Sequence, residues 1–242
     1  DGTMALPTAG GPAAAAPRSN PGTPVLDLLR DGTVGERTAV YLRHSIRDSL
    51  SGVPVHQQLA TEITPEGALR AREFGGSLRR LIPGRRLVLG HTIARRSRMT
   101  AECIGAGYAP DGHYRMIDYR RDIDDLILDA DAFLALRDAI GWEPLLRRWL
   151  GRGVPRNIMR DPHVYADTHL EQLVAIDGID DRDLFVVIGH DITLFALVSR
   201  LYDRTITTVD FLNGIVIDTD GRNGEARFSD GQQILARTLK SV

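Results

Sequence analysis

The chain has 242 residues, of which 43% are hydrophobic and 26% are charged, a composition typical of soluble globular proteins. A formal net charge of −2 gives no general attraction to nucleic acid or to an anionic membrane. No apolar stretch approaches the ~20 residues that cross a bilayer, so the sequence predicts no membrane partner. Lys240 is the only lysine, so arginine supplies almost all of the positive charge.

Residues 1–22 are rich in alanine, proline and glycine, and such a segment buries little apolar surface. We predict that they form a flexible arm. The arm lacks a basic start followed by an uninterrupted apolar run, so we interpret it as neither signal peptide nor anchor and expect a cytoplasmic protein. Residues 23–242 contain no linker or internal repeat, which predicts a single domain.

Short apolar runs predict strands at 39–42, 87–90, 185–188 and 214–218. Thr64 followed by Pro65 is a typical helix start, and this helix should end at the Pro-Gly pair of residues 83–84. Further helices are predicted at 96–107, at 131–150 with a break at Gly141 and a new start near Pro144, around 170–174, and at 193–201.

The segment 211–235 predicts β-structure with turns at 220–221 (DG) and 223–224 (NG). Strands that alternate with helices predict an α/β fold. We therefore expect a three-layer sandwich in which a mostly parallel central sheet carries helices on both faces.

Chemically useful side chains follow three of the predicted strands. Residues 42–47 (LRHSIR) end the first strand, 96–102 (RSRMTAE) follow the second, and 189–191 (GHD) follow the third. Side chains at the carboxyl ends of parallel strands meet in one crevice. The residues expected there are Arg43, His44, Arg47, Arg96, His190 and Asp191.

This set suits phosphoryl transfer through a histidine. A neutral imidazole such as that of His44 attacks phosphorus when guanidinium groups screen the charge of the phosphate. The carboxyl group of Asp191 could protonate the departing alkoxide, a step worth ~10²–10⁴ in rate. Two structural alternatives remain: the arginines could form solvated ion pairs, and Asp191 could cap the helix that follows it.

Four elements, in the same order, resemble the signatures of the histidine phosphatase superfamily, which includes cofactor-dependent phosphoglycerate mutases, acid phosphatases and phytases. Residues 42–47 resemble its Arg-His-Gly-x-Arg motif, and 64–67 (TPEG) resemble its Leu-Thr-Pro-x-Gly helix start. Arg96 with 100–102 (TAE) is similar to Arg-x-x-x-Thr-Ala, and 189–191 resemble the late histidine motif. The resemblance covers residues 38–200 and implies a phosphoglycerate mutase-like catalytic domain at 23–242.

The resemblance also implies roles for individual residues. His44 would be the phosphorylated nucleophile, and the phosphate pocket would consist of Arg43, Arg47, Arg96 and His190. An aspartate directly after the second histidine is similar to the acid phosphatase and phytase branch, where this acid is the proton donor, so Asp191 is the predicted donor. The mutase-like branch uses a glutamate from the region that corresponds to 111–131, which here has only aspartates, and Asp118, Asp122 and Asp125 are the alternatives.

The chain departs from the family pattern at two positions that we include among the substrate-binding candidates. Ser45 stands where a glycine is usual beside the nucleophile, so the loop must accommodate a Cβ. His91 begins the segment that replaces the usual Ser-Ser-Pro, and it could contact substrate, although a lone histidine is more often structural. Residues 108–165 are the predicted substrate-selecting insert.

We therefore predict a phosphomonoesterase that hydrolyses a small phosphate ester through a phosphohistidine, without a metal ion or cofactor. A phosphomutase on the same fold is the alternative. A third possibility is a non-catalytic phosphate- or nucleic-acid-binding protein, which a dense basic stretch suggests. A solvated helix face explains this stretch better, and we expect no nucleic-acid partner. The members of the basic stretch are Arg70, Arg72, Arg79, Arg80, Arg85, Arg86, Arg95, Arg96 and Arg98. The sequence leaves the oligomeric state and the natural substrate open.

Overall fold

The computed structural model describes residues 20–32, 35–50, 53, 55–119, 126–175, 179–220 and 223–240. The helices are α1 (Thr23–Asp31), α2 (Val55–Gln58), α3 (Pro65–Leu81), α4 (Arg95–Tyr108), α5 (Ala130–Ile140), α6 (Trp142–Leu150), α7 (Pro162–Ala175) and α8 (Asp191–Tyr202). The strands are β1 (Arg37–Arg43), β2 (Arg86–His91), β3 (Tyr114–Asp118), β4 (Asp183–Gly189), β5 (Gly214–Thr219), β6 (Asn223–Ser229) and β7 (Ile234–Lys240).

These strands form one seven-stranded sheet in the order β3-β2-β4-β1-β5-β6-β7. Strands β3, β2, β4 and β1 are mutually parallel, whereas β5, β6 and β7 continue the sheet in antiparallel pairs. The parallel strands place their carboxyl ends along a single edge. Functional side chains that follow β1, β2 and β4 therefore lie on neighbouring strands.

Helices cover both faces of the sheet and bury a separate apolar cluster on each side. Val40 and Leu42 of β1 pack in the cluster that includes α1, α3 and α4, whereas Ala39 and Tyr41 pack in the cluster that includes α7 and α8. This alternation is the period of two of a strand that is buried on both faces. The structure confirms the predicted three-layer α/β sandwich with a mostly parallel centre.

The four predicted strands are present, and so are the predicted helices, most with ends shifted by one or two residues, whereas α7 begins at Pro162, well before the predicted 170–174. Thr64 caps α3 as expected, since its Oγ1 accepts a hydrogen bond of 3.0 Å from the N–H of Gly67. Gly141 separates α5 from α6 with a φ of 85°, which a glycine adopts without strain. The new helix begins at Trp142, two residues before the proline that was predicted to start it.

The prediction of a turn at 223–224 is wrong, because these residues are the first two of β6. The second turn lies later, at 230–233, where the side chain of Asp230 accepts hydrogen bonds from the N–H groups of Gln232 and Gln233. The sequence also gave no prediction of β3. This strand lies at the edge of the sheet and is only partly buried, so it carries no continuous apolar run.

Two of the predicted segments lie partly or largely outside the residues that the structure describes. The arm falls almost wholly there, since only residues 20–22 of it are described. The segment 108–165 contributes β3 to the sheet and α5 and α6 to the layer of α7 and α8. Along the described residues, no helix is both long enough and apolar enough to cross a bilayer.

Candidate active site

The ends of β1 and β4 bring two histidines together. Arg43 and Gly189 are paired in the sheet, and the N–H of His44 donates a 2.9 Å hydrogen bond to the carbonyl oxygen of Gly189. The rings of His44 and His190 face each other edge to face, with 5.4 Å between their centroids, and both residues are buried. Residues 146 positions apart along the chain (190 minus 44) thus share one small site.

The environment of His44 fixes which ring nitrogen is available for attack. Its Nδ1 lies 2.8 Å from the carbonyl oxygen of Ser45, which can only accept, so Nδ1 carries the proton. Burial, and then the neighbouring His190 ring and the charge of Arg96, hold the pKa of His44 well below its usual value, so the imidazole is neutral at pH 7. The lone pair therefore lies on Nε2.

His190 has the opposite tautomer. Its Nδ1 lies 3.2 Å from Nη2 of Arg96, and because a guanidinium only donates, Nδ1 is the acceptor. Burial, followed by the nearby charge of Arg96, lowers the pKa of His190 well below its usual value. The neutral ring thus carries its proton on Nε2, which lies 3.4 Å from Oγ1 of Thr92 and can donate to an anion.

Three arginines lie beside this pair. Arg96 is buried, and its Nη1 donates to the carbonyl oxygen of Gln58 over 2.6 Å. Burial, and then the charge of Arg43, lower the pKa of Arg47, so the two guanidinium groups lie close enough to repel each other. The Nε atoms of Arg43 and Arg47 are buried and have no hydrogen-bond partner among the described residues. Two unsatisfied cationic donors in a buried site favour binding of an anion.

The loop that carries His44 is tied to α3 and α4. Oγ of Ser45 donates to the carbonyl oxygen of Gly67 over 2.8 Å, and its N–H donates to Oγ1 of Thr100 over 3.0 Å. Ser45 is fully buried, and its hydroxyl and its N–H both attach the loop to these two helices. A Cβ at Gly67 would lie 2.3 Å from the carbonyl oxygen of Ile46, which explains the glycine in the 64–67 element.

Asp191 is the first residue of α8, and the N-cap is His190, which makes no side-chain capping bond. Its carboxylate forms an ion pair with Arg43, with 3.2 Å between Oδ2 and Nη2. Oδ1 accepts a hydrogen bond of 3.0 Å from the N–H of Ile192. The side chain is 33% exposed, so the carboxylate borders both the cationic site and solvent.

The remaining candidates lie at the ends of β2 and β3. His91 ends β2, with Nδ1 2.9 Å from the carbonyl oxygen of Thr92 and Nε2 3.8 Å from the carboxylate of Asp118 at the end of β3. Asp118 is mostly exposed. Asp122 and Asp125 lie outside the described residues.

Three residues of the site were not predicted from the sequence. The hydroxyl of Tyr41 accepts a 3.1 Å hydrogen bond from the N–H of His190, and Thr92 lies beside the ring of the same histidine. Phe211 packs against His44, with 5.7 Å between ring centroids, and lies 4.2 Å beneath the guanidinium carbon of Arg43. A tyrosine inside an apolar strand was a detectable signal, because a buried hydroxyl needs a partner; nothing local marked Phe211.

Among the described residues, no group of three or more histidine, cysteine, aspartate or glutamate side chains is arranged to hold a metal ion. Four of the nine arginines of the basic stretch form ion pairs with acids. Arg70 lies beside Glu66 and Glu73, and the other ion pairs are Arg86 with Asp180 and Asp183, Arg95 with Glu62, and Arg98 with Glu102.

Comparison with solved structures supports the same fold. A phosphoglycerate mutase from Bacillus anthracis str. Sterne superposes with a TM-score of 0.52 at 14% identity, over 85% of this chain and 92% of that one. A mycobacterial glucosyl-3-phosphoglycerate phosphatase gives 0.50 at 18% identity, over 85% and 98%.

These neighbours are members of the histidine phosphatase superfamily, and the chain has the fold of that superfamily. The resemblance inferred from the four sequence elements is confirmed at the level of the fold. No protein-family model and no curated protein sequence matches the chain.

Proposed function

We propose that the protein is a phosphomonoesterase that hydrolyses a small phosphate ester through a phosphohistidine at His44. The observation that carries this proposal is the pairing of two neutral histidines of opposite tautomer inside an arginine cluster. His44 offers a lone pair on Nε2, whereas His190 offers a proton on Nε2. A nucleophile and a donor to the phosphoryl oxygens are what transfer to a histidine needs.

In the first step, Nε2 of His44 forms a bond to phosphorus, and the bond between phosphorus and the ester oxygen breaks. The electron pair of that bond stays on the leaving oxygen, which takes a proton from the carboxyl group of Asp191. The donors of Arg43, Arg47 and Arg96, together with His190, stabilise the charge on the non-bridging oxygens. The positive charge that stabilises the transferring phosphoryl group thus comes from these three arginines.

In the second step, water attacks the phosphohistidine, and the carboxylate of Asp191 accepts its proton. The bond between phosphorus and Nε2 breaks, inorganic phosphate leaves and His44 is neutral again. Microscopic reversibility gives the acid of the first step the role of base in the second.

Solvent access to Asp191 favours hydrolysis over a phosphomutase reaction. A mutase must keep water from the phosphorylated histidine, because water would release the phosphoryl group. The side chain of Asp191 is 33% exposed and pairs with Arg43 beside the histidines, so water reaches the carboxylate that would activate it. Release of inorganic phosphate without an isomerised ester is the expected outcome.

Rapid quenching with a ³²P-labelled ester tests the proposal. The wild-type protein should give an adduct that is stable in alkali and labile in acid, and His44→Ala should lose both the adduct and turnover. His113→Ala is the matched control, because this histidine is exposed and pairs with Asp111 at the surface. Adduct at the wild-type level in His44→Ala would exclude His44 as the nucleophile.

A further inference from the structure

The backbone N–H of His190 donates a hydrogen bond to a buried tyrosine, Tyr41, on the neighbouring strand β1. We propose that Tyr41 is a positioning residue, which fixes the place of the His190 imidazole through a hydrogen bond to its backbone. The inference rests on the proposed function, in which His190 binds the transferring phosphoryl group.

Tyr41 and the end of β4 fit each other closely. The hydroxyl of Tyr41, which is fully buried, accepts the 3.1 Å hydrogen bond from the N–H of His190. A Cβ added at Gly189 would lie 1.9 Å from the same hydroxyl. The strand therefore ends in a glycine because the tyrosine hydroxyl occupies the space beside it, and the two residues form a complementary pair.

The backbone N–H of His190 needs this partner. His190 is the N-cap of α8, and the N–H groups at a helix start have no acceptor within the helix. The Tyr41 hydroxyl supplies the acceptor from within the protein, where a lost partner cannot be replaced freely by solvent. This hydrogen bond therefore fixes the position of the His190 backbone relative to β1.

The position of that backbone determines where the imidazole points. Nδ1 of His190 accepts from Arg96, and its Nε2 proton lies on the opposite side of the ring. The imidazole is rigid, so Nδ1 and Nε2 move together. A shift of the His190 backbone would therefore move the Nε2 proton away from the phosphoryl oxygens. Displacements of about 1 Å in a catalytic group can cost ~10²-fold in rate.

The surrounding cluster provides a matched control. The ring of Tyr119 packs edge-on against that of Tyr41, with 6.5 Å between centroids, and its hydroxyl lies 2.8 Å from Nδ1 of His169. Both tyrosines are buried, and each has its hydroxyl in a buried hydrogen bond. The hydrogen bond of Tyr119 runs to His169 on α7, whereas that of Tyr41 runs to the N–H of His190.

Tyr41→Phe and Tyr119→Phe should therefore separate positioning from general stability. We expect Tyr41→Phe to lower kcat/KM for p-nitrophenyl phosphate and to weaken orthovanadate binding by about tenfold or more, because His190 is displaced. Tyr119→Phe should change either quantity by no more than about twofold. Urea denaturation should show a similar loss of stability in both variants.

Hydrogen exchange of the His190 amide gives a readout that is independent of activity. In the wild-type protein this amide should exchange as slowly as the amides of β4, and in Tyr41→Phe about tenfold faster or more, with no such change in Tyr119→Phe. An unprotected His190 amide in the wild type would overturn the proposal even if Tyr41→Phe fails to fold. Equal losses of kcat/KM in the two variants would also overturn it. A wild-type protein that neither binds vanadate nor turns over would refute the proposed function, and the amide exchange would still decide the role of Tyr41.

Discussion

Asp191 is held in an ion pair by Arg43, the residue that directly precedes His44, with 3.2 Å between Oδ2 and Nη2. The proposed proton donor and one proposed phosphate ligand are therefore linked directly. A bound phosphate ester would compete for the guanidinium and place negative charge beside the carboxyl group. In the proposed reaction the proton donor and the transferring phosphoryl group therefore contact the same guanidinium.

Replacing Asp191 by asparagine should slow reactions with poor leaving groups most. An alkoxide carries most of the developing negative charge and depends on protonation, whereas p-nitrophenolate leaves without it. We expect Asp191→Asn to lower kcat for an alkyl phosphate by ~10²-fold or more. For p-nitrophenyl phosphate the loss should be much smaller, and steady-state kinetics with both esters measure the difference.

Asp118→Asn tests the alternative donor in the same experiment. Asp118 lies at the end of β3 beside His91, and we expect this variant to slow both esters equally or not at all. An equal loss with both esters in Asp191→Asn would assign Asp191 to positioning instead. A loss confined to the alkyl ester in Asp118→Asn would move the donor to β3.

The hydroxyl of Thr100 connects the nucleophile loop with the central arginine, which leads to a second prediction. It accepts from the N–H of Ser45 over 3.0 Å and donates to the carbonyl oxygen of Arg96 over 2.7 Å. Thr100→Val keeps the shape but leaves a buried N–H unpaired, at a cost of about 1–3 kcal/mol in unfolding free energy. We also expect kcat to fall in Thr100→Val, because the loop that carries His44 loses this hydrogen bond.

Thr100→Ser is the control for this prediction, because it retains the bridging hydroxyl and removes only a methyl group. It should keep most of the kcat that Thr100→Val loses, and chemical denaturation should show a smaller loss of stability. Wild-type kcat in Thr100→Val would mean that the loop holds His44 without this bridge.

The two buried histidines predict that stability falls on the acid side of neutrality. Burial lowers the pKa of both His44 and His190 in the folded state below the value of about 6.5 in the unfolded chain. Below pH 6.5 the unfolded chain therefore binds more protons, so the free energy of unfolding decreases as the pH falls. The slope should approach about 1.4 kcal/mol per pH unit for each histidine.

Urea midpoints between pH 7.5 and 5 measure this effect, in buffers free of phosphate because phosphate would bind at the site. His190→Asn should flatten the slope. Val187→Ala removes apolar contacts in the same strand, so it should lower stability at every pH and leave the slope unchanged. An unchanged slope in both His190→Asn and His44→Asn would show that other groups produce the acid sensitivity.

Turnover should survive chelation, because the proposed charge stabilisation comes from Arg43, Arg47 and Arg96. Activity measured after dialysis against EDTA should equal that of the untreated protein, and orthovanadate should inhibit both samples alike by occupying the phosphoryl site. Loss of activity that Mg²⁺ or Zn²⁺ restores would contradict a mechanism that uses arginine alone.

Local patterns in the sequence determined the fold class and most of the candidate site. Fully buried strands are continuous apolar runs, so β1, β2, β4 and β5 were predictable, and Thr64 carries the chemistry of a helix start in its own side chain. Strand β3 was not predicted, because an edge strand that is partly exposed has no continuous apolar run. The turn at 223–224 was misplaced because an Asn-Gly pair also fits the start of a strand, and here it begins β6.

Tertiary structure alone decided how the site residues act on one another. The tautomers of His44 and His190 depend on a carbonyl oxygen and a guanidinium that lie close only after the strands pair. The positions of Tyr41 and Phe211 beside the histidines have the same origin. Hydrogen bonding and burial are properties of distance in space, whereas a sequence records only distance along the chain.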